Sequence, residues 1–122
     1  MLHSASPTPP HAEAVAALQA AIGREHVLLA ESELRFYAQD VHHAATPPLA
    51  VARPGTAEDV LAILRIAGER GLVVVPRGGG MSYTRGYLAD RRDAVVLDLT
   101  RMNRVLEINV ADGWVTVECG AT

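Results

Sequence analysis

The amino-acid sequence predicts an α+β protein in which a small parallel unit precedes strands that are mainly antiparallel. The first observation is a strand, a helix and a second strand in immediate succession over residues 49–76, which is the make-up of a right-handed parallel crossover. The second is a pair of alternating apolar stretches, "RVLEINV" and "WVTVEC", separated by the turn sequence "ADG". The 122 residues are enough for one domain or for part of a larger one.

The first third of the chain predicts two helices. Residues 11–23 are rich in alanine and place three apolar side chains on one helical stripe, with Gly23 at the end. That stripe consists of Val15, Leu18 and Ile22. Ser32 is positioned to cap a short second helix that ends at Tyr37. The two prolines of "HHAATPPL" then exclude helix, and "LAVARP" reads as a short strand.

The central unit carries the clearest local signals. Thr56 is a helix cap, and Asp59 three residues later completes a near capping box. Apolar residues then recur at helical spacing, namely Val60, Ile63, Leu64 and Ala67. Gly71 ends the helix, and "LVVVP" follows as a strand whose continuous apolarity predicts cover on both faces. A further strand is predicted at "AVVLDL".

Between these last two strands lies the sequence "PRGGGMSYTRG", which predicts an anion site. Three glycines lose much chain entropy on ordering, so a bound group is expected to offset that cost. A P-loop needs a lysine after its glycines, and the chain contains no lysine. A Rossmann fingerprint needs a third glycine where Tyr83 stands. The remaining interpretations are a nest of main-chain N–H groups, assisted by Ser82, Arg77 and Arg85, or a plain flexible glycine loop.

Several stretches together resemble the FAD-binding domain of the FAD-linked oxidases, the superfamily of vanillyl-alcohol oxidase and p-cresol methylhydroxylase types. The resemblance covers roughly residues 36–122 and rests on "ARPGTAEDV", "PRGGGMS", "LDLTRMNRVLEIN" and "VTVECGAT" in that order. It implies a PCMH-type fold, with a parallel βαβ subdomain and the start of a mainly antiparallel one. It also implies that the glycine loop binds the FAD pyrophosphate through its main chain.

The resemblance also implies a set of cofactor-binding residues, while the catalytic residues stay unknown. That set is Arg77, Gly78, Gly79, Gly80, Met81, Ser82, Tyr83, Gly120 and Thr122. The last of these residues belong to the element Cys119 to Thr122, in which Cys119 stands where the family commonly has proline. Members that tether FAD through this loop have a histidine where this chain has Met81. A thioether does not form that linkage, so FAD is expected to be non-covalent at this loop.

The other residues that could take part in chemistry are predicted to have structural roles. The five histidines, His3, His11, His26, His42 and His43, lack metal-ligand spacing and are predicted to be solvated. Cys119 is predicted to be a small core residue and Trp114 to pack in the hairpin. Asp98 is predicted to cap the turn after its strand, and Asp40 to be a buried or capping residue.

Residues 1–12 are predicted to be a disordered leader, and residues 13–122 to be the N-terminal part of the FAD-binding domain. The expected function is that of a FAD-dependent oxidoreductase with a small-molecule substrate and an electron acceptor. A non-enzymatic nucleotide- or anion-binding module and an inactive fragment remain alternatives. The net charge of −3 argues against nucleic acid as a partner. The absence of a signal-peptide pattern or an apolar run of membrane-spanning length predicts a cytoplasmic location.

Overall fold

The computed structural model describes residues 9–122. Its helices are α1 Pro9–Ile22, α2 Glu31–Tyr37 and α3 Ala57–Glu69, with a 3₁₀ turn at Arg24–His26. Its strands are β1 Val27–Leu28, β2 Ala50–Ala52, β3 Val73–Arg77, β4 Ala94–Asp98, β5 Val105–Asn109 and β6 Trp114–Val117. Most of the predicted leader lies outside the described residues, and α1 begins at Pro9. No helix in residues 9–122 is long and apolar enough to cross a bilayer.

Two sheets give the α+β class that the sequence predicts. The first has the order β1-β2-β4-β3, in which β2, β4 and β3 run parallel and β1 is antiparallel. The parallel unit over residues 49–76 is therefore present, but β4 lies between its two strands. β4 is covered on both faces, since all of its residues are buried. The sequence predicted such cover for β3, and this prediction was wrong, because β3 is the edge strand of the sheet and is only half-buried.

The core lies between the first sheet and the helices α1 and α3. Leu18 and Ile22 of α1 pack with Ile63 of α3 and with β-strand side chains such as Val95. On α1 the fully buried position before Leu18 is Ala14, while Val15 of the predicted stripe is only partly buried. The small alanine allows the close approach of α1 to the rest of the core.

The ends of α3 follow the predicted chemistry. The Thr56 hydroxyl accepts a hydrogen bond from the Asp59 N–H at 3.1 Å, and the Asp59 carboxylate accepts from the Gly55 N–H at 2.9 Å. Gly71 follows the helix with a φ of 65°. The cap predicted for α2 was wrong, because that helix begins at Glu31 with Ala30 as its cap residue. Ser32 therefore lies within the first turn.

The second sheet is the hairpin of β5 and β6. Its antiparallel register pairs Ile108 with Val115 and Asn109 with Trp114, and Gly113 takes a φ of 71° in the turn. The hairpin is confirmed, but its strands are exposed on both faces. Trp114 stays 43% exposed. The prediction of Cys119 as a small core residue was wrong: Cys119 is exposed, because it follows β6, which is itself exposed on both faces.

Candidate functional site

The glycine loop begins where β3 ends, at the carboxyl edge of the parallel sheet. Arg77 is the last residue of β3 and pairs in register with Asp98, the last residue of β4. The Leu99 N–H donates to the Arg77 carbonyl at 2.9 Å and so holds the two strand ends together. The carboxyl ends of parallel strands are the usual ligand side of an open α/β sheet. The loop over residues 78–82 is thus at the expected place for a binding site.

The main chain of this loop carries a run of unpaired donors. Within residues 9–122, the N–H groups of residues 78–82 donate to no acceptor of the protein. Beyond the loop, the N–H groups of Thr84 and Gly86 do have a protein acceptor, since both donate to the Ser82 hydroxyl, at 3.2 and 2.9 Å. Successive N–H groups without protein partners can bind an anion.

Gly80 is required by its surroundings, whereas Gly79 is open to solvent. Gly80 has a φ of 75°, and a Cβ there would lie 2.5 Å from Nη2 of Arg77. At Gly79, which is exposed, a Cβ would touch only the Thr122 methyl group, at 3.3 Å. Gly79 therefore presents bare main chain on the open side of the loop, where a bound group could approach closely.

The segment after the hairpin lies beside the glycine loop. Gly120 is buried, and its N–H donates to the Met102 carbonyl at 2.9 Å. A Cβ at Gly120 would overlap the main-chain carbonyl of Leu99. This close packing places Thr122 next to Gly79, so two separate parts of the predicted site meet in space. Gly120 itself is enclosed by main chain and contributes by placing its neighbours.

The remaining predicted loop residues differ in their environment. Met81 and Tyr83 are 69% and 56% exposed. The Tyr83 ring lies 5.7 Å from that of His42. Arg85, predicted to add charge to the nest, instead pairs with Asp90 at 3.3 Å.

Arg77 lies against an aromatic cage formed by Phe36, Tyr37 and Tyr87. Its Cζ atom is 4.7 Å from the ring centroids of Tyr37 and Tyr87 and 5.2 Å from that of Phe36. These are cation–π distances. Within the described residues, its Nη1 atom is buried and has no hydrogen-bond acceptor.

Asp98 is the common acceptor of a polar network, of which the sequence predicted one part. The predicted turn cap is confirmed, since Asp98 accepts from the Thr100 N–H at 2.9 Å and from its hydroxyl at 2.7 Å. Asp98 also accepts from the Tyr37 hydroxyl, and Arg53 Nε lies 3.6 Å from its carboxylate. Burial alone would raise the pKa of Asp98, but these hydrogen bonds and the Arg53 charge hold it below its ordinary value. Burial and the bond to Asp98 raise the pKa of Tyr37 to about 12.

Asp40 ties the segment after α2 to the segment after the glycine loop. Its enclosed carboxylate accepts from the N–H groups of His42, His43 and Arg85 at 2.7 to 2.8 Å. Burial opposes ionisation, yet these donors hold the pKa of Asp40 well below its usual range. The predicted capping role of Asp40 is confirmed. His43 is not simply solvated as predicted, because its ring lies 2.9 Å from this carboxylate and is half-buried.

Two cavities open beside the glycine loop. One of about 220 Å³ is lined by Arg53, Arg77, Gly78, Gly79, Asp98 and Thr100, with two rings of the cage. The other, of about 340 Å³, is lined by residues that include Asp40, Gly79, Gly80 and Tyr87. A further cavity of about 620 Å³ lies against α2, but its lining includes no residue of the loop.

A family of FAD binding domains matches residues 48–122. The chain belongs to this family, the FAD-binding domain of FAD-linked oxidases and dehydrogenases, as the sequence predicted. It is 35% identical over 107 residues to D-2-hydroxyglutarate dehydrogenase of Xanthomonas citri pv. viticola, covering 87% of this chain and 22% of the relative. It is 37% identical over 117 residues to 1'-carboxy-chondrochloren decarboxylase of Chondromyces crocatus, covering 94% of this chain and 21% of the relative.

Solved structures agree on the fold. A p-cresol methylhydroxylase with substrate bound superposes with a TM-score of 0.82 at 26% identity, over 99% of this chain and 24% of that one. The 4-ethylphenol oxidase from Gulosibacter chungangensis gives 0.79 at 32% identity, over the same shares of the two chains. The chain thus spans between a fifth and a quarter of the length of these proteins.

The residues of the glycine loop fit the pyrophosphate of FAD. Consecutive N–H groups without protein acceptors supply donors, and Gly79 leaves space for close approach. The adjacent Arg77 supplies positive charge. Nothing in the loop places a carboxylate among these donors.

Proposed function

We propose that the chain binds FAD for a FAD-dependent oxidoreductase, and that the glycine loop holds the cofactor pyrophosphate through main-chain N–H groups. The observation that carries this proposal is the run of N–H groups over residues 78–82 that have no acceptor among residues 9–122. An anion at this position would satisfy several donors at once, without side-chain rearrangement.

The proposed cofactor site has direct and supporting members. Direct contacts come from the loop, with Thr122 beside Gly79, and Tyr83 lies on the flavin side. Gly120 supports the site by holding Thr122 in place. The full proposed set is Arg77, Gly78, Gly79, Gly80, Met81, Ser82, Tyr83, Gly120 and Thr122. The domain is proposed to span residues 13–122. A cytoplasmic location stays a prediction.

We further propose that FAD is non-covalent at this loop, because the Met81 thioether offers no histidyl nitrogen for a linkage. When bound, FAD supplies the redox chemistry by accepting electrons from an organic substrate and passing them to an acceptor. This chain's own residues bind and orient the cofactor. The relatives' names include a dehydrogenase, a decarboxylase and an oxidase. These names differ in their reactions and share the domain, so the proposal names the cofactor of this chain and no substrate.

The test is a titration of the purified chain with FAD, FMN and ADP, followed by flavin fluorescence and, for ADP, by calorimetry. We expect saturable FAD binding that is tighter than FMN binding, since FMN lacks the pyrophosphate. Gly79→Asp places a negative side chain on the open side of the loop and should weaken FAD binding by at least about tenfold, or about 1.4 kcal/mol.

A matched variant, Gly68→Asp, adds the same side chain on the exposed face of α3, where a Cβ has no neighbour within 4 Å. It should bind FAD as the wild type does. A chain that is folded by circular dichroism but does not bind FAD would contradict the proposal. Equal binding of FAD and ADP, both lost in Gly79→Asp, would favour the simpler nucleotide-binding module.

A further inference from the structure

We propose that Arg77 is a positioning residue, which fixes the conformation of the glycine loop from within the aromatic cage and does not itself bind the pyrophosphate. The inference rests on the proposed function for the identity of the ligand. The contacts through which Arg77 restrains the loop lie within the protein and need no ligand. It separates Arg77 from the loop residues that present donors to the cofactor.

The guanidinium is held by rings from two different parts of the chain. Phe36 and Tyr37 come from the last turn of α2, and Tyr87 follows the glycine loop. All three centroids lie within 5.2 Å of Arg77 Cζ. A planar guanidinium can stack on several rings at once, whereas the compact, strongly hydrated ammonium of lysine cannot replace that packing.

The cage is coupled directly to Gly80. Nη2 of Arg77 lies 2.5 Å from the place where a Gly80 Cβ would be, so the guanidinium fills the space beneath that residue. The Tyr87 hydroxyl donates to the Gly80 carbonyl at 2.8 Å. Gly80 is thus held from its carbonyl and from its α-carbon in a left-handed conformation with a φ of 75°. The orientation of the peptide groups on either side of Gly80 follows from that restraint.

The buried nitrogen supports an indirect role. Nη1 of Arg77 is buried and has no acceptor among residues 9–122. A ligand on the open side of the loop would not reach that atom without displacement of the cage. Other atoms of this side chain line the two cavities beside Gly79, so the positioning role is inferred from the stacking on the rings and from the packing against Gly80.

Arg77→Lys distinguishes the two roles, because it keeps the charge and removes the planar stacking group. For the apo chain we expect ¹⁵N relaxation to give order parameters of about 0.85 at Gly79 and Gly80 in the wild type. In Arg77→Lys they should fall to about 0.6 or lower, as for a flexible backbone. The matched variant Arg65→Lys, on the exposed face of α3, should leave both values unchanged.

The second measurement is FAD affinity. Arg77→Lys should raise the Kd by about tenfold, and Arg77→Met by a similar factor, because in both the cage is lost. Tyr87→Phe keeps the ring but removes the bond to Gly80, so a smaller rise in Kd and in loop mobility is expected. If Arg77→Lys does not fold, Tyr87→Phe tests the restraint on Gly80 in its place.

The outcomes separate the inference from the function that it refines. Wild-type affinity and a rigid loop in Arg77→Lys, with loss of affinity only in Arg77→Met, would overturn the positioning role in favour of direct charge. A mobile loop in Arg77→Lys, in a chain whose wild type does not bind FAD, would contradict the proposed function and support the positioning role. An unchanged loop in both Arg77→Lys and Tyr87→Phe would overturn the inference whatever the affinity for FAD.

Discussion

At the scale of single residues, Gly120 has the least room for a side chain among the glycines of residues 9–122. Its Cβ would overlap the Leu99 carbonyl and crowd the Met102 carbonyl, and main chain cannot move aside as a flexible side chain can. We expect Gly120→Ala to lower the free energy of unfolding by at least about 3 kcal/mol, measured by urea denaturation. Gly68→Ala has open space on a helix and should instead raise it by about 0.5–1 kcal/mol. Equal effects of the two changes would show that the packing at Gly120 is not restrictive.

Asp98 and Arg77 show why the site could be predicted only in part. The cap on Thr100 lies two residues from Asp98, so the local sequence suffices to predict it. The bond from Tyr37 joins residues 61 positions apart, and no local pattern indicates it. The same holds for the cage around Arg77, whose rings lie on both sides of it in sequence. The sequence therefore predicted the glycine loop but not the side chains that hold it.

At the scale of elements, the cap of α3 can be tested by itself. The Thr56 hydroxyl satisfies one N–H of the first turn, and the Thr56 side chain is exposed, so its loss leaves no cavity. Thr56→Ala should reduce the free energy of unfolding by about 1 kcal/mol, and Thr56→Ser by much less. The measurement is the urea midpoint at constant m-value. A loss in Thr56→Ser as large as in Thr56→Ala would mean that the methyl group, not the hydroxyl, stabilises the helix.

The order of the strands is the element-scale feature that the sequence did not predict. Residues 72–76 and 94–97 are both continuous apolar runs bounded by turn signals. Which of them is central depends on pairing across the sheet, where β4 has two parallel neighbours and β3 has one. The sequence pattern of a single strand does not show whether that strand is central or at the edge of the sheet. By contrast, the hairpin of β5 and β6 needs only short-range pairing, and its turn residues predicted it correctly.

At the scale of the whole molecule, two buried carboxylates join distant parts of the chain. Asp40 binds the N–H of Arg85, and Asp98 binds the hydroxyl of Tyr37 and lies beside Arg53. Both carboxyl groups have pKa values below the ordinary 3.8, and the pKa of Tyr37 lies above the ordinary 10.0. The three groups therefore link the pH dependence of stability to the contacts around the glycine loop.

These shifts predict a stability plateau with a decline on each side. A depressed carboxyl pKa stabilises the fold fully above about pH 3.8, and that contribution is lost as pH falls below it through the folded value. A raised tyrosine pKa stabilises the fold below pH 10.0, and that contribution is lost as pH rises to about 12. We expect the free energy of unfolding, from urea titrations between pH 2.5 and 11.5, to be flat near neutrality and to fall at both ends.

Single variants assign each decline to its residue. Asp40→Asn should make the acid decline shallower, because one carboxylate that releases its proton on folding is gone, whereas Glu107→Gln on exposed β5 should leave its slope as in the wild type. Tyr37→Phe should make the alkaline decline shallower, and the absence of lysine keeps that pH range free of ammonium titration. An acid slope unchanged in Asp40→Asn would show that the bonds from His42, His43 and Arg85 do not depend on the charge of Asp40. The loop after the glycines would then be held by packing around Tyr87, and the aromatic cage would be the main restraint on the site.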